Sequence, residues 1–132
     1  FEDIVAIHAG IHPHWDDIEE TLRGESATQP GPAGDFAVLV RYCDAEGNRP
    51  DEDWPPPAPP FEPWYKHWQR RPFEDRTVVF GHWAREGLIE EHRVRGLDTG
   101  AVYGGELSAW IAEEDRIVSV PAARAYTPTT LR

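Results

Sequence analysis

Two histidines occupy the same kind of position, directly after a short run of residues that favours a β-strand. Residues 77–80 are β-branched and aromatic, and Gly81 and His82 follow them. Residues 4–7 form a similar apolar run that leads into His8. Glycine lets the chain turn at the end of a strand, and open α/β sheets place their chemistry at that edge. Because histidine is the commonest metal ligand and needs a rigid support, the pair predicts a shared metal site.

A third candidate is Arg41, which lies near the end of a strand predicted over residues 36–42. Its charge interrupts an apolar run, so the side chain lies either at a solvent-exposed edge or in the functional site. Guanidinium groups are the usual partners of phosphate oxygens. Both interpretations of Arg41 stay open at this point.

Hydrophobic periodicity and the positions of glycine and proline predict the elements around these candidates. An amphipathic helix is predicted from Trp15 to Leu22, with Asp16 and Asp17 in its first turn and Gly24 after its end. The other predicted elements are loops over residues 10–15 and 25–35, and a β-hairpin of strands 106–112 and 117–120.

Residues 44–63 are the most biased part of the composition, and five of residues 55–60 are proline. Such a run favours polyproline II and excludes a strand within a sheet. A semi-rigid loop is favoured over a ligand for an aromatic-lined partner. Pro63 is predicted to begin a short helix in which Trp64 and Trp68 face the core and His67 is exposed.

Composition limits the classes of partner. The formal net charge of −11 argues against a nucleic-acid backbone, which needs clustered lysine and arginine. No apolar run approaches the roughly 18 residues of a membrane span, so no membrane partner is expected. The single cysteine, Cys43, cannot form an internal disulfide, which favours a reducing, cytoplasmic setting. With no nucleophile signature around it, Cys43 is interpreted as a buried structural thiol.

The length of 132 residues fits one domain or less. The sequence begins at Phe1 with a predicted strand close behind and contains no methionine. We interpret it as the C-terminal portion of a longer chain.

Four motifs occur in order along the chain. They are His8-Ala9-Gly10-Ile11, Phe80-Gly81-His82-Trp83-Ala84, the glycine-rich run over residues 96–107, and Ser119-Val120-Pro121-Ala122. Together they resemble the C-terminal half of calcineurin-like metallophosphoesterases, and most closely the branch of symmetrical diadenosine-tetraphosphate hydrolases and bacterial Ser/Thr phosphatases. The resemblance extends over nearly the whole chain.

The resemblance implies an α/β (α+β) fold, a β-sandwich flanked by helices, with a C-terminal β-hairpin. It implies that His8 and His82 bind one of two divalent ions, commonly manganese or iron, which hold a bridging hydroxide and polarise phosphoryl oxygens. Arg41 and Tyr103 are the implied contacts to substrate phosphate. Asp98 either orients a ligand imidazole or caps a turn. The implied reaction is hydrolysis of phosphate ester or anhydride bonds in a small phosphorylated substrate, such as a dinucleoside polyphosphate, or in a phosphoprotein.

The remaining ligands of this family lie in motifs of the types D-x-H, G-D-x-x-D-R-G and G-N-H-E, in the N-terminal half. None of them occurs in this sequence. Residues 1–132 are therefore expected to be the C-terminal part of a single metallophosphoesterase domain whose N-terminal half is absent. Such a fragment should contain no catalytic residue of its own and should show little or no activity alone.

Two other functional classes are weighed against this one. In the first, the fold is a non-catalytic binding module that recruits a partner through the proline-rich segment. In the second, Cys43 is the nucleophile of a cytosolic hydrolase, which the residues around Cys43 do not favour.

Overall fold

The computed structural model describes residues 3–128, which divide into two compact units. Residues 3–6 and 76–128 lie in the first unit, and residues 7–75 form the second. The chain thus leaves the first unit after one strand, builds the second unit, and returns at residue 76.

The first unit contains a four-stranded mixed sheet in the order β1-β4-β6-β5. The strands are β1 (Ile4–Ala6), β4 (Thr77–Phe80), β5 (Ile89–Glu91) and β6 (Val94–Gly96). β1 and β6 both run parallel to β4, whereas β5 is antiparallel to β6. Val78 and Val94 are fully buried, as expected for central strands of β-branched residues. The predicted strands at 4–7 and 77–80 are confirmed.

The same unit ends in the predicted β-hairpin, β7 (Glu106–Ile111) and β8 (Arg116–Pro121), with a short 3₁₀ turn at Ala112–Glu114. Asp115 closes the turn with a positive φ of 45°. Its Oδ1 accepts hydrogen bonds from Arg95 Nη2 at 2.7 Å and from Trp110 Nε1 at 2.9 Å. The bond from Arg95 ties the hairpin turn to strand β6, and the bond from Trp110 ties the turn to β7.

The second unit contains all the α-helices of the described chain, together with a two-stranded ribbon. The helices are α1 (Ile18–Leu22), α2 (Pro32–Leu39) and α3 (Trp64–Gln69), and the ribbon pairs β2 (Tyr42–Cys43) with β3 (Glu62–Pro63). Helix α1 is shorter than predicted: Asp17 is its N-cap, and its carboxylate accepts the Glu20 N–H at 2.9 Å. Trp15 therefore lies in the loop before the helix.

The strand predicted over residues 36–42 is wrong, because most of this stretch is helix α2. A short apolar run fits a buried helix as well as a strand. Pro32 stands at the first position of the helix, where its fixed φ suits the helical geometry. The helix turns Phe36 and Ala37 inward and leaves Val38 and Leu39 exposed. Only the last residue of the predicted strand, Tyr42, belongs to a strand.

Helix α3 confirms the prediction that Trp64 and Trp68 face the core, since their exposed fractions are 0% and 1%. The prediction that His67 is exposed is wrong. Its side chain is 9% exposed, and its Nε2 lies 3.2 Å from the Cys43 carbonyl and 3.6 Å from the Glu62 carboxylate. The side chain is held against the β2–β3 ribbon, on which Cys43 and Glu62 both lie.

The proline-rich stretch forms neither helix nor strand between residues 44 and 61, as predicted for a loop. Its Trp54 is 56% exposed. Within residues 3–128, no helix has the length and apolar character needed to cross a membrane.

Candidate functional site

The two histidines follow the ends of neighbouring parallel strands. Within the first unit, β1 pairs with β4 so that Ala6 lies opposite Val79. His82 comes two residues after the end of β4, and His8 comes two residues after the end of β1. Parallel strands end at the same edge of a sheet, which is the edge where ligands bind in open α/β folds. His82 belongs to the first unit and His8 to the second, so the shared metal site stays a prediction.

The backbone at His82 adopts an uncommon conformation. Its φ is +67°, whereas Gly81, which was expected to provide the turn, is not among the residues with positive φ. For a residue with a Cβ atom the left-handed region costs roughly 1–2 kcal/mol. Such residues are concentrated at functional sites, where the surrounding structure imposes the conformation. The turn after β4 is thus made by the candidate ligand itself.

The residues after His8 are fixed by backbone contacts within the second unit. The N–H of Ala9 donates to the Ala37 carbonyl at 2.8 Å. A Cβ at Gly10 would lie 2.6 Å from Trp64 Cδ2 and from Val40 Cγ1. Residue 10 must therefore be glycine for the chain to pass between these side chains. His8 is itself exposed and stands directly before this anchored segment.

The donors in the described part of the chain do not complete a metal site. Residues 3–128 contain no group of three or more histidine, cysteine, aspartate or glutamate side chains placed to hold one ion. Structural and catalytic sites for transition metals take at least three protein ligands. The described residues thus contain no complete metal site, and the metal-binding role of His8 and His82 stays a prediction.

Arg41 lies in the second unit, just after α2, and its charge is compensated. Its Nη1 lies 3.1 Å from Asp53 Oδ2, and the two side chains are 19% and 31% exposed. Its carbonyl accepts the Trp64 N–H at 3.0 Å. A phosphate oxygen would compete with Asp53 for this guanidinium, and the phosphate role of Arg41 stays a prediction.

Asp98 and Tyr103 lie in the glycine-rich loop that follows β6. Asp98 Oδ1 accepts the Gly100 N–H at 3.2 Å, which is the turn-capping arrangement considered for this residue. The N–H of Tyr103 donates to the Gly100 carbonyl at 2.9 Å in the next turn. The roles predicted for Asp98 in orienting a ligand and for Tyr103 in binding phosphate stay predictions.

Cys43 is buried, with an exposed fraction of 0%. Burial, together with the nearby Asp44 and Glu62 carboxylates, raises the pKa of its thiol to about 12. The thiolate is the reactive form of cysteine. The interpretation of Cys43 as a buried structural thiol is confirmed, and the structure gives no support to Cys43 as a nucleophile.

The structure also shows a feature of the second unit that the sequence analysis did not identify, a cluster of three aromatic rings. His12 stacks on Trp15 with centroids 5.8 Å apart and an interplanar angle of 21°. Phe36 packs against both, at 4.9 Å from His12 and 5.6 Å from Trp15. We call these three residues the aromatic cluster. The rings come from a loop and from α2, so no sequence periodicity connects them.

His12 is held as a neutral imidazole. Its Nδ1 accepts the His14 N–H at 3.0 Å, so the proton of the neutral ring lies on Nε2. Burial lowers the pKa of His12, and the nearby His14 and Arg71 lower it further, against a smaller opposite effect of Asp44. Protonation would also turn Nδ1 into a donor, which the His14 N–H cannot accept.

This environment predicts a pH dependence of stability. A histidine whose pKa is lower in the folded state binds fewer protons there than in the unfolded state. Its contribution to the free energy of unfolding is therefore complete above the unfolded pKa, near 6.5. That contribution is lost as the pH falls through the pKa of the folded state. We expect the free energy of unfolding to decrease as the pH is lowered from about 7.5 to below 6.5. Urea titrations should show a smaller decrease for His12→Gln, and an equal decrease would contradict the assignment.

The comparison with known proteins agrees with this fold. No protein-family profile matches the sequence. The chain is 33% identical over 123 residues to the symmetrical bis(5'-nucleosyl)-tetraphosphatase of Cellvibrio japonicus, a match that covers 89% of this chain and 43% of the relative. The protein of the same name from Xanthomonas campestris is 29% identical over 159 residues, with coverage of 94% and 49%. The Aeromonas salmonicida protein of that name is 28% identical over 153 residues, with coverage of 89% and 56%.

A solved structure leads to the same family. A crystal structure provisionally described as a diadenosine tetraphosphatase matches with a TM-score of 0.62 and 31% identity, over 91% of this chain and 47% of that chain. The chain spans about half the length of the curated relatives it matches. The mixed α/β class is confirmed by the strands, the helices and this likeness. The chain is therefore a homologue of the symmetrical bis(5'-nucleosyl)-tetraphosphatases, and the predicted resemblance to that branch is confirmed.

Proposed function

We propose that this chain is part of a metal-dependent phosphoesterase that hydrolyses phosphate anhydride bonds in dinucleoside polyphosphates. The observation that carries the proposal is the similarity to symmetrical bis(5'-nucleosyl)-tetraphosphatases over about nine-tenths of the chain. The positions of the two histidines in the chain are compatible with it, because His8 follows β1, His82 follows β4, and these strands pair in parallel. A phosphoprotein substrate has no support from these relatives.

His8 and His82 are proposed to contribute imidazole ligands to divalent ions, which would polarise the phosphoryl oxygens of the substrate. Both imidazoles are uncharged as ligands, so they would hold a cation without cancelling its charge. The residues of the second unit that follow His8 are anchored by Ala9 and Gly10, which limits the positions that His8 can take. The left-handed backbone of His82 likewise restricts that residue.

The further ligands are proposed to lie in a part of the protein outside residues 1–132, in agreement with the incomplete donor set of the described residues. The chain would then be the C-terminal part of one phosphoesterase domain and would have little activity by itself. Manganese or iron is the proposed identity of the metal, and the cytoplasm is the proposed location, as expected for a chain with one buried thiol and no disulfide.

The test compares residues 1–132 with the protein expressed from the reading frame extended upstream. We expect the extended protein to hydrolyse diadenosine tetraphosphate, to lose that activity in a chelator and to regain it with Mn²⁺, because the ions supply the electrostatic stabilisation. Elemental analysis should find about two divalent ions per chain. Hydrolysis that is unaffected by the chelator would contradict the metal-dependent mechanism. A peptide array that detects a partner for residues 54–60, with no hydrolysis by the extended protein, would favour the binding-module alternative.

A further inference from the structure

The aromatic cluster forms one wall of a cavity in the second unit. The cavity has a volume of about 400 Å³ and is lined by His12, Trp15, Pro32, Ala33, Phe36 and Gly47. This volume lies within the roughly 300–1,000 Å³ found for small-molecule pockets. None of the roles proposed above uses this cavity.

The lining fits a flat, uncharged ring. Three of its six residues carry aromatic rings, and Pro32 and Ala33 add apolar surface. Aromatic faces bind other flat rings by stacking, and every nucleobase has such a face. Because the Nδ1 of His12 accepts the His14 N–H, the ring is neutral and adds no charge to the lining.

The charges near the cavity disfavour a phosphate. No lysine or arginine is among the six lining residues. The nearby turn carries two acidic residues, Asp44 and Glu46, and Glu46 lies 3.7 Å from His14. Arg71 is the nearby cation, but it is outside the lining, and its Nη2 donates to the carbonyls of His12 at 2.9 Å and of Pro13 at 3.2 Å. An anion in the cavity would find no cation in its lining to neutralise it, so the lining favours the base of a nucleotide over its phosphates.

At the edge of the cavity, the backbone of Gly47 lies so close to His12 that residue 47 has no room for a side chain. Gly47 has a φ of +84°, and a Cβ at this position would overlap the imidazole of His12. The turn around it is fixed by Asp44, whose Oδ1 accepts the N–H groups of Glu46 at 2.9 Å and of Asn48 at 2.8 Å. A side chain at residue 47 would therefore have to displace His12 from its position in the cluster.

We propose that this cavity is a nucleobase subsite, in which a purine ring of the dinucleoside polyphosphate packs against the aromatic cluster. The proposal rests on the proposed function for the identity of the ligand, since the relatives are named for nucleosyl substrates. The geometry of the cavity supplies the reason for placing the base there.

The test measures the binding of adenosine, without phosphate and in the presence of a chelator, by ligand-detected NMR and calorimetry. We expect saturable binding of adenosine and none of ribose 5-phosphate. Gly47→Ala and Trp15→Leu should weaken adenosine binding by roughly 5- to 150-fold, the range for loss of one base-stacking contact. Gly24→Ala is the matched control, because Gly24 has a nearly equal φ of +87° but a Cβ there would meet nothing within 4 Å.

The outcomes separate this proposal from the proposed function. Adenosine that binds no better than ribose 5-phosphate, or equally well to wild type and both cavity variants, would overturn the subsite. Hydrolysis of diadenosine tetraphosphate by the extended protein with an unchanged KM in Gly47→Ala would also overturn it and leave the phosphoesterase assignment intact. Adenosine binding that follows the expected order of variants would support the subsite even if the extended protein hydrolyses nothing.

Discussion

Replacement of Trp64 by alanine is expected to lower the free energy of unfolding by about 3–5 kcal/mol, the usual cost of removing a buried tryptophan. Trp64 is fully buried, and its indole packs against the backbone at Gly10 and edge-on against Tyr65, with ring centroids 6.1 Å apart. Because Gly10 lies in a separate, anchored segment of the chain and Tyr65 is held by helix α3, these neighbours cannot both move in to fill the cavity. A loss of this size is a large fraction of the roughly 5–15 kcal/mol that stabilises a domain.

The measurement is urea denaturation followed by far-ultraviolet circular dichroism, which does not depend on tryptophan fluorescence. Trp54→Ala is the matched control, since this residue is 56% exposed in the proline-rich loop. Its free energy of unfolding should change by no more than about 0.5 kcal/mol. If Trp64→Ala were as stable as Trp54→Ala, the packing described for the second unit would be wrong.

Replacement of His82 by asparagine in the extended protein is expected to reduce kcat/KM for diadenosine tetraphosphate by at least ~100-fold. Loss of a residue that merely supports a metal ligand costs about 10–100-fold, so loss of the ligand itself should cost more. Asparagine is chosen because it tolerates the left-handed region better than most residues. The backbone at φ +67° should therefore persist while the imidazole is lost.

Thermal unfolding and metal analysis complete that experiment. The melting temperature of His82→Asn should stay close to that of the wild type, whereas its metal content should fall. His92→Asn is the control, because His92 is exposed in the turn between β5 and β6; its kcat/KM should stay within about 2-fold of the wild type, as for other surface substitutions. Full activity in His82→Asn would remove this residue from the proposed site.

The elements that could be predicted from sequence are those with a strong local signal. Residues 77–80 combine β-branched side chains with a glycine directly after them, and they form a strand with the expected bounds. The hairpin strands are separated by a polar turn and were likewise identified correctly. Helix α2 was missed because its apolar run is short. Whether that run forms a strand or a helix depends on where Phe36 and Ala37 are buried, which is decided by tertiary packing.

Site residues could likewise be predicted only where they follow an element with a strong local signal. Both histidines could be placed after strand ends, since a strand fixes the direction of the chain. The burial of His67 could not be foreseen, because Cys43 and Glu62 reach it from the β2–β3 ribbon. The aromatic cluster was missed for a similar reason: Phe36 lies on a helix that had been predicted as a strand, and the turn at Gly47 approaches from outside the cluster.

The pairing of β1 with β4 has a consequence for the order of folding. Ile4 lies opposite Thr77, so this pairing can form only after the whole of the second unit has been synthesised between the two strands. Contacts between residues far apart in sequence form slowly, because closing a long loop costs entropy before any contact is gained. In the sequence, helices α1 to α3 and the β2–β3 ribbon all lie between β1 and β4. During synthesis, β1 would therefore leave the ribosome before the second unit and wait until that unit is complete before its partner β4 is made.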